Sequence, residues 1–160
     1  MPYLIDGNNL IGHIAPHRLK DPEFRAELLN SLSVFRRVKR TRVLVAFDGH
    51  PDTDFADNLQ REESITVLFP PPGRSADSVI KKSIDRETDR RRFFVVSSDR
   101  EIRRYARSRG AKSLDCSEFS KLLRRTEKSY KKRLELKKDV DSPSPLEISH
   151  WTELFESKNE

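Results

Sequence analysis

The stretch YLID (Tyr3–Asp6) is a short apolar run that ends in an aspartate, and the same pattern occurs twice more along the chain. The runs VLVAFD (Val43–Asp48) and FFVVSSD (Phe93–Asp99) also close on an aspartate. Short runs of this composition are typical of buried strands. A fourth aspartate, Asp77, stands near the start of a predicted helix. Because the carboxyl ends of the strands in an open α/β sheet line one crevice, we expect the four carboxylates to converge there.

Strands and helices alternate along the sequence. The start of the first long helix is marked by Asp21 and Pro22, Ser75 is the predicted N-cap of the next, and Gly110 ends the third. Crossovers of helical length predict right-handed βαβ units, so the expected fold class is α/β, with five strands in a mainly parallel sheet between two layers of helices. Strands are predicted over 2–5, 42–47, 65–69, 93–96 and 111–114, and helices over 22–39, 76–89, 100–109 and 117–138.

The length of 160 residues suits one domain, which we place at residues 1–138. Residues 139–145 are rich in Pro and Ser and predict a linker. Beyond it, a short amphipathic helix is expected to begin near Ser149, so residues 139–160 form a linker and a C-terminal amphipathic segment. That segment is too short to fold alone, and the sequence leaves open whether it docks on the domain or on a partner.

Charge is unevenly spread along the chain, whose net charge is +6. Between Lys81 and Lys138 there are 21 Lys and Arg against 9 Asp and Glu, so this half carries +12 and the remaining positions carry −6. Such a basic half is typical of surfaces that bind phosphate backbones through counterion release. The same charges are also explained as solvated helix faces, and composition alone does not decide between the two.

The sequence argues against several other classes of protein. No apolar run approaches the roughly 20 residues that cross a bilayer, and the amino terminus has no signal-peptide core. A soluble cytoplasmic protein without a membrane partner is therefore expected. Cys116 is the only cysteine, which excludes an intramolecular disulfide and a paired zinc-ligand motif. Glycine-rich phosphate loops are missing, which disfavours nucleotide-cofactor chemistry.

Clustered carboxylates predict a divalent metal, because Mg²⁺ and Mn²⁺ prefer hard oxygen ligands. Such an ion orients and polarises a water for attack on a phosphodiester. Taken singly, each aspartate also has an ordinary explanation as a turn residue or a helix cap, and it is their equivalent positions that favour a metal site. The amides of Asn8 and Asn9 could hold a carboxylate or a phosphate, or could simply be turn residues.

Four motifs, taken in order, resemble the NYN domain of the YacP-like branch within the PIN-like nuclease superfamily. They are IDGNNLIG (Ile5–Gly12), VAFDGH (Val45–His50), SAD (Ser75–Asp77) and VSSD (Val96–Asp99), and the resemblance covers about residues 2–125. It implies a Rossmann-like, PIN-like three-layer sandwich with strand order 3-2-1-4-5. It also implies a metal-dependent ribonuclease site built from the four aspartates.

Two further site residues follow from the resemblance alone. Asn9 matches the family's Asn three positions after the first aspartate, and Ser98 matches the Ser before the last one. The sequence departs from the family pattern at Gly49, where Ala is common, and at Asn8, where an aromatic residue is frequent. The second departure could alter how a base or ribose stacks at the entrance, so it bears on substrate preference.

The sequence thus predicts an endoribonuclease that uses Mg²⁺ or Mn²⁺ and a metal-oriented water. The metal ligands are predicted to be Asp6, Asp48, Asp77 and Asp99, with Asn9 and Ser98 in supporting roles. The resemblance favours single-stranded or looped RNA as the substrate. Two alternatives stay open: a non-catalytic RNA-binding or ribosome-associated adaptor, and a structure-specific DNA nuclease. The candidate substrate-binding residues, which are equally explained as solvated charges or turn residues, are Asn8, Arg74, Lys81, Lys82, Arg100, Arg103 and Arg104.

Overall fold

Five parallel strands form one sheet in the computed structural model, which describes residues 1–50 and 65–141 but not the side chains of residues 139–141. The strand order is β3-β2-β1-β4-β5, and every neighbouring pair is parallel. This confirms the predicted α/β class and the order 3-2-1-4-5. The strands are β1 (Tyr3–Asp6), β2 (Val43–Ala46), β3 (Ile65–Leu68), β4 (Phe94–Val96) and β5 (Lys112–Leu114).

Helices cover both faces of this sheet, as the sequence predicts. Alternate residues of each strand point to opposite faces. Ile5 and Val45 therefore contribute to one buried cluster, together with residues of α1, α2 and α5. Leu4 and Val95 contribute to a second cluster with residues of α3 and α4. The helices are α1 (Gly7–Ile14), α2 (Pro22–Lys39), α3 (Ala76–Arg86), α4 (Arg100–Ser108) and α5 (Cys116–Asp141).

The sequence placed four helix boundaries differently from the structure. The helix predicted over 100–109 ends at Ser108, and the helix predicted over 117–138 extends to Asp141. The helix predicted over 76–89 ends at Arg86, because the Arg90 side chain donates to the carbonyls of Ile84 (3.2 Å) and Asp85 (3.0 Å) and so satisfies the last turn. The final long helix begins at Cys116 rather than Ser117. A capping box precedes it, in which the Glu118 N–H donates to Asp115 Oδ1 and the Asp115 N–H donates to Glu118 Oε2.

Strand β1 passes directly into α1, a helix that none of the predicted ranges covers. Asp6 is the N-cap of this helix, and its Oδ1 accepts the N–H of Asn9 at 3.4 Å. At Gly7 the chain lies so close to β2 that an added Cβ would stand 2.4 Å from Cε1 of Phe47 and 2.9 Å from the Ala46 carbonyl oxygen. A glycine is therefore required for β1 and α1 to join at this angle.

The chain divides into two compact units, Met1–Glu127 and Lys128–Glu160, and the sheet belongs to the first. Residues 139–141 of the predicted linker belong to α5, and the rest of the predicted linker and C-terminal segment, residues 142–160, lies outside the described residues. The predicted boundary between residues 138 and 139 therefore stays a prediction. Among the helices that the structure describes, none is long and apolar enough to span a membrane.

Two glycines of α1 provide a matched test of the β1–α1 junction. Gly7→Ala would force a methyl group into Phe47, and we expect it to lower the free energy of unfolding by about 2–3 kcal/mol. Gly12→Ala lies in the same helix with nothing within 4 Å of its new Cβ, so it should stabilise the protein by about 0.5–1 kcal/mol. Urea unfolding of both variants measures the difference. Equal effects would show that the contact with Phe47 does not constrain the fold.

Candidate metal centre

The four aspartates meet at the carboxyl edge of the sheet. Asp6 ends β1, Asp48 follows β2, and Asp99 is the N-cap of α4 just after β4. Asp77 lies in the first turn of α3. Electrostatic repulsion links Asp6 to Asp77 and Asp48, and it links Asp77 to Asp99 and Asp48. The structure therefore brings the four side chains into one neighbourhood, although they are spread over more than ninety positions of sequence.

Asp48 connects the end of β2 to the start of α3. Its Oδ1 accepts the N–H of Ala76, the first residue of that helix, at 2.8 Å. Ser75 is the N-cap of α3, as predicted, although its side chain makes no capping hydrogen bond. A carboxylate at a helix N-terminus is favoured by both the free N–H and the helix dipole. Asp48 thereby fixes the position from which Asp77 projects.

Asp99 is also tied to the helix that it precedes. Its Oδ1 accepts the N–H groups of Glu101 (2.8 Å) and Ile102 (3.3 Å) at the start of α4. Asp48 and Asp99 thus each use the same oxygen, Oδ1, as a helix cap. The ordinary explanation of Asp99 as a cap is correct, whereas the capping bond of Asp48 was not predicted. Among the described residues, Oδ2 of each carboxylate remains for another ligand.

Ser97 is a functional candidate that the sequence interpretation did not select. Its side chain is fully buried; the hydroxyl donates to Asp6 Oδ2 at 3.0 Å and accepts the Asp99 N–H at 3.1 Å. Ser98 was selected instead, and its Oγ accepts the Cys116 N–H at the start of α5. Two adjacent serines before an aspartate are visible in the sequence. Which of them faces Asp6 depends on how β4 meets its loop.

Asn8 and Asn9 bind the two strands that flank β1. Asn8 Oδ1 accepts the backbone N–H of Asp48 at 3.1 Å, beyond β2. Asn9 Oδ1 accepts the N–H of Ser98 at 2.7 Å, beyond β4, and lies 3.0 Å from the Cys116 thiol that donates to it. Both residues lie in the first turn of α1 rather than in a turn or loop. They therefore set the spacing of the three strand ends that carry aspartates.

Burial and mutual repulsion perturb two of the carboxyl groups. Asp6 is only 6% exposed, and burial raises its pKa from 3.8 to about 6. The hydrogen bonds from Ser97 and Asn9 lower this pKa, while the charges of Asp77 and Asp48 raise it further. The pKa of Asp77 is also raised, first by burial and then by the charge of Asp99. Both shifts disfavour the ionised forms as long as no cation balances them.

The donor set fits a hydrated Mg²⁺ or Mn²⁺. Within the described residues, no group of three or more His, Cys, Asp or Glu side chains is arranged to hold a metal ion directly. Mg²⁺ does not require such a cage, because it retains several waters and is held through one or two carboxylates. The four acids supply hard oxygens, and buried Asp6 has a raised pKa that a cation would lower. The site therefore suits a metal bound largely through water.

Among the cations predicted to bind substrate, Lys81 is the one that interacts with the acidic cluster. Its charge lowers the pKa of Asp77, although its Nζ is also paired with Glu101 at 2.6 Å and lies over the ring of Tyr105. Arg103 donates from Nε to Ser113 Oγ at 2.9 Å and is therefore directed to β5. The remaining predicted cations are exposed in the described structure: Arg74, Lys82, Arg100 and Arg104.

Arg25 is a second residue that sequence analysis missed. Its guanidinium carbon lies 5.0 Å from the ring centre of Phe47, the residue directly before Asp48. Its Nε is buried and has no hydrogen-bond partner among the described residues. A cation so close to the carboxyl edge is suited to an incoming phosphate. Nothing in the amphipathic pattern of α2 distinguishes Arg25 from its other charged residues.

The raised pKa of Asp6 predicts a pH-dependent stability. A carboxyl group that holds its proton more tightly in the folded state makes folding less favourable as pH rises from its unfolded value of 3.8 to about 6. In metal-free buffer the ionised group should cost on the order of 3 kcal/mol above this window. We expect Asp6→Asn to become increasingly stable relative to the wild type from pH 4 to pH 7. Urea unfolding in EDTA measures this; a constant difference would contradict the shift.

Comparisons with known proteins agree with this architecture. Crystal structures of Rae1 (YacP) from Bacillus subtilis share the fold: one superposes with a TM-score of 0.71 at 21% identity, covering 99% of this chain and 92% of that one. The W164L mutant of the same protein gives a TM-score of 0.70 at 22% identity, covering 86% of this chain and 84% of that one. No curated protein matches the sequence significantly.

A family model also matches almost the whole sequence. The model describes the YacP-like NYN domain and covers residues 3–155. It includes all four aspartates and the residues that support them. The resemblance inferred from the four sequence motifs is thereby confirmed. This chain belongs to the YacP-like NYN domain family, with its PIN-like nuclease fold.

Proposed function

We propose that this chain is a metal-dependent endoribonuclease that hydrolyses RNA phosphodiester bonds at the carboxyl edge of its sheet. The observation that carries the proposal is the convergence of four mutually repelling carboxylates on this edge, in a chain with a nuclease fold. The predicted ligands are Asp6, Asp48, Asp77 and Asp99, and the predicted cofactor is Mg²⁺ or Mn²⁺. In a structural ion-pair network, cations would balance the acids. Among the described residues, Lys81 is the cation whose charge lowers the pKa of one of these four aspartates.

When bound, the cation would orient and polarise a water for attack and offset charge on the phosphate oxygens. Asp6 and Asp77 are the first candidates to hold it, because burial and repulsion disfavour their ionised forms without a counter-charge. Asp48 and Asp99 each use Oδ1 as a helix cap, so Oδ2 of each is the oxygen that remains for a hydrated ion. Ser97 holds the Asp6 carboxylate in one orientation through Oδ2.

Two cations border the acids and are suited to hold the substrate backbone. Lys81 lies near Asp77, and an incoming phosphate would compete with Glu101 for its ammonium group. Arg25 lies over the ring of Phe47, the residue directly before Asp48. An arginine fork matches two phosphate oxygens at once. Single-stranded or looped RNA remains the proposed substrate class, supported by the family to which the chain belongs.

The cleavage assay uses labelled single-stranded RNA with the full chain in Mg²⁺, Mn²⁺ or EDTA. We expect cleavage with a metal, none in EDTA, and a loss of roughly 100-fold or more in Asp6→Asn and Asp77→Asn. Asp89→Asn is the matched control, because Asp89 is an exposed aspartate beyond the opposite end of the sheet. Within the described part of the chain its one ion pair is with Arg92, at 3.7 Å. This variant should cleave at the wild-type rate.

Each alternative function has its own outcome in this assay. Cleavage that persists in EDTA or in Asp6→Asn would contradict the metal mechanism. Tight RNA binding without cleavage in either metal would favour the non-catalytic adaptor. Equal or faster cleavage of single-stranded or branched DNA would favour the DNA nuclease.

A second prediction concerns Ser97 as a positioning residue. Ser97→Ala removes a hydrogen bond to Asp6 that lowers the pKa of this carboxyl group, so we expect that pKa to rise further. Cleavage should fall by roughly 10–100-fold, with a larger loss at pH 6 than at pH 8. Ser97→Thr, which keeps the hydroxyl, should restore the pH profile. A loss that is equal at both pH values would indicate a packing defect instead.

A further inference from the structure

The amino edge of the sheet, opposite the candidate metal centre, carries a row of exposed cations. We name these the amino-edge cations: Arg40, Arg42, Arg91, Arg92 and Lys112, which precede or begin strands β2, β4 and β5. Backbone hydrogen bonds align the starts of the strands, since the Tyr3 N–H donates to the Arg42 carbonyl and the Lys112 N–H donates to the Phe93 carbonyl. The row crosses three strand spacings, or about 14 Å.

A depression opens on this surface beside β2. Its volume is about 630 Å³, and its lining is Arg36, Arg37, Arg40, Thr41 and Arg42. Thr41 is held by a hydrogen bond from its hydroxyl to the Met1 carbonyl, which anchors the segment between α2 and β2. Four of the five lining residues are arginines, whose planar forks suit phosphate oxygens better than lysine does.

Helix dipoles do not explain the whole row. Cations in the last turn of α2, such as Arg36 and Lys39, are expected there because they complement the carbonyl end of the helix. Of the amino-edge cations, Arg40 is the C-cap of α2, and Arg91 and Arg92 lie in a short 3₁₀ helix (Arg90–Arg92). Arg42 and Lys112 lie outside any helix, before β2 and at the start of β5. Helix ends therefore account for part of the positive charge at this edge, and they leave Arg42 and Lys112 without that explanation.

Arg40 occupies a backbone conformation that favours glycine. Its φ is 51°, and among the described residues it is the only non-glycine with a positive φ. It caps α2 through its N–H, which donates to the Arg36 carbonyl. Glycine is the most frequent residue in the left-handed conformation that ends a helix, since other residues are strained in it. An arginine at such a strained position indicates that its charge has a function.

Few acids oppose the amino-edge cations. Glu87 pairs with Arg42 at 2.5 Å, and Asp89 stands 3.7 Å from Arg92. No carboxylate of the described residues forms an ion pair with Arg40, Arg91 or Lys112. The acidic cluster is at least a strand length away, roughly 13 Å, which exceeds the Debye length of about 8–10 Å at physiological salt. The surface is therefore electrostatically separate from the metal centre.

We propose that the amino-edge cations bind the phosphate backbone of RNA outside the cleavage site. A row of about 14 Å matches a linear polyanion rather than a single phosphate, because one nucleic-acid strand presents a charge every ~3.4 Å of helix axis. The proposal rests on RNA as the partner of the proposed function and does not require cleavage. An RNA that contacts both edges gains effective concentration at the metal centre, whereas a short one does not.

The test uses Arg40→Gly and the double variant Arg40→Gly with Arg42→Gln. Because glycine relieves the strained φ, Arg40→Gly should melt at a higher temperature than the wild type, so weaker binding would not reflect unfolding. Binding of a fluorescent 30-nucleotide RNA is measured by anisotropy in EDTA at several salt concentrations. We expect the slope of log K against log salt to fall by about 0.7 for each lost phosphate contact. The control is Lys20→Gln, an exposed cation before α2 at the other end of the helix, which should leave the slope unchanged.

The outcomes separate this surface from the nuclease. Unchanged RNA affinity and salt slope in the double variant would overturn the inference, whether or not the wild type cleaves RNA. Reduced binding by the double variant supports it even if no cleavage is found, which would count only against the proposed function. Where cleavage occurs, the double variant should cut a six-nucleotide RNA at the wild-type rate and the 30-nucleotide RNA more slowly at low concentration. Loss of binding to phosphatidylserine vesicles with unchanged RNA binding would assign the surface to a membrane and overturn the inference.

Discussion

The Asp6 carboxylate is buried at the end of the central strand, and the rest of the site depends on how the fold tolerates a charge there. Its two oxygens accept hydrogen bonds from Ser97 and from the N–H of Asn9, which partly replace the lost water. Gly7 allows β1 to turn into α1 against Phe47, so the carboxylate is held at the mouth of the crevice. With Asp48 and Asp77 nearby, only a cation would balance the charge fully.

Parallel strands give this sheet two chemically different edges. At the carboxyl edge, helices begin, and their free N–H groups are capped by Asp48 and Asp99. At the amino edge, helices end, and their free carbonyls favour cations. The separation of acids from the amino-edge cations is thus partly imposed by topology. Topology does not determine which residue stands at each helix end. The chain has Asp77 in the first turn of α3 and Arg40 at the C-cap of α2, where a neutral residue would also fit the backbone.

The sequence predicted the strands and four of the five α-helices that the structure describes, because their signals are local, whereas α1 lies in none of the predicted ranges. The N-cap of α2 at Asp21, the proline that follows it, and the positive φ of Gly110 after α4 are each determined by neighbouring residues. The strand order required the family resemblance in addition. Contacts between distant segments could not be predicted: the Asp48–Ala76 hydrogen bond joins residues 28 positions apart, and Ser97–Asp6 joins residues 91 apart. Whether Ser97 or Ser98 faces the carboxylate depends on that packing and not on any local preference.

Asp6 and Arg40 share a property that favours a functional explanation for both. Each residue is locally unfavourable. Asp6 places a carboxylate with a raised pKa in the interior, and Arg40 places a residue with a Cβ at a φ that suits glycine. Single substitutions, to Asn and to Gly, would relieve these costs without disturbing the neighbouring core. Residues that conflict with local stability persist where a ligand contributes the missing interaction. A bound cation would stabilise the ionised carboxylate of Asp6, and a bound phosphate would pair with the guanidinium of Arg40. One RNA strand that spans the sheet would bring phosphates to both edges.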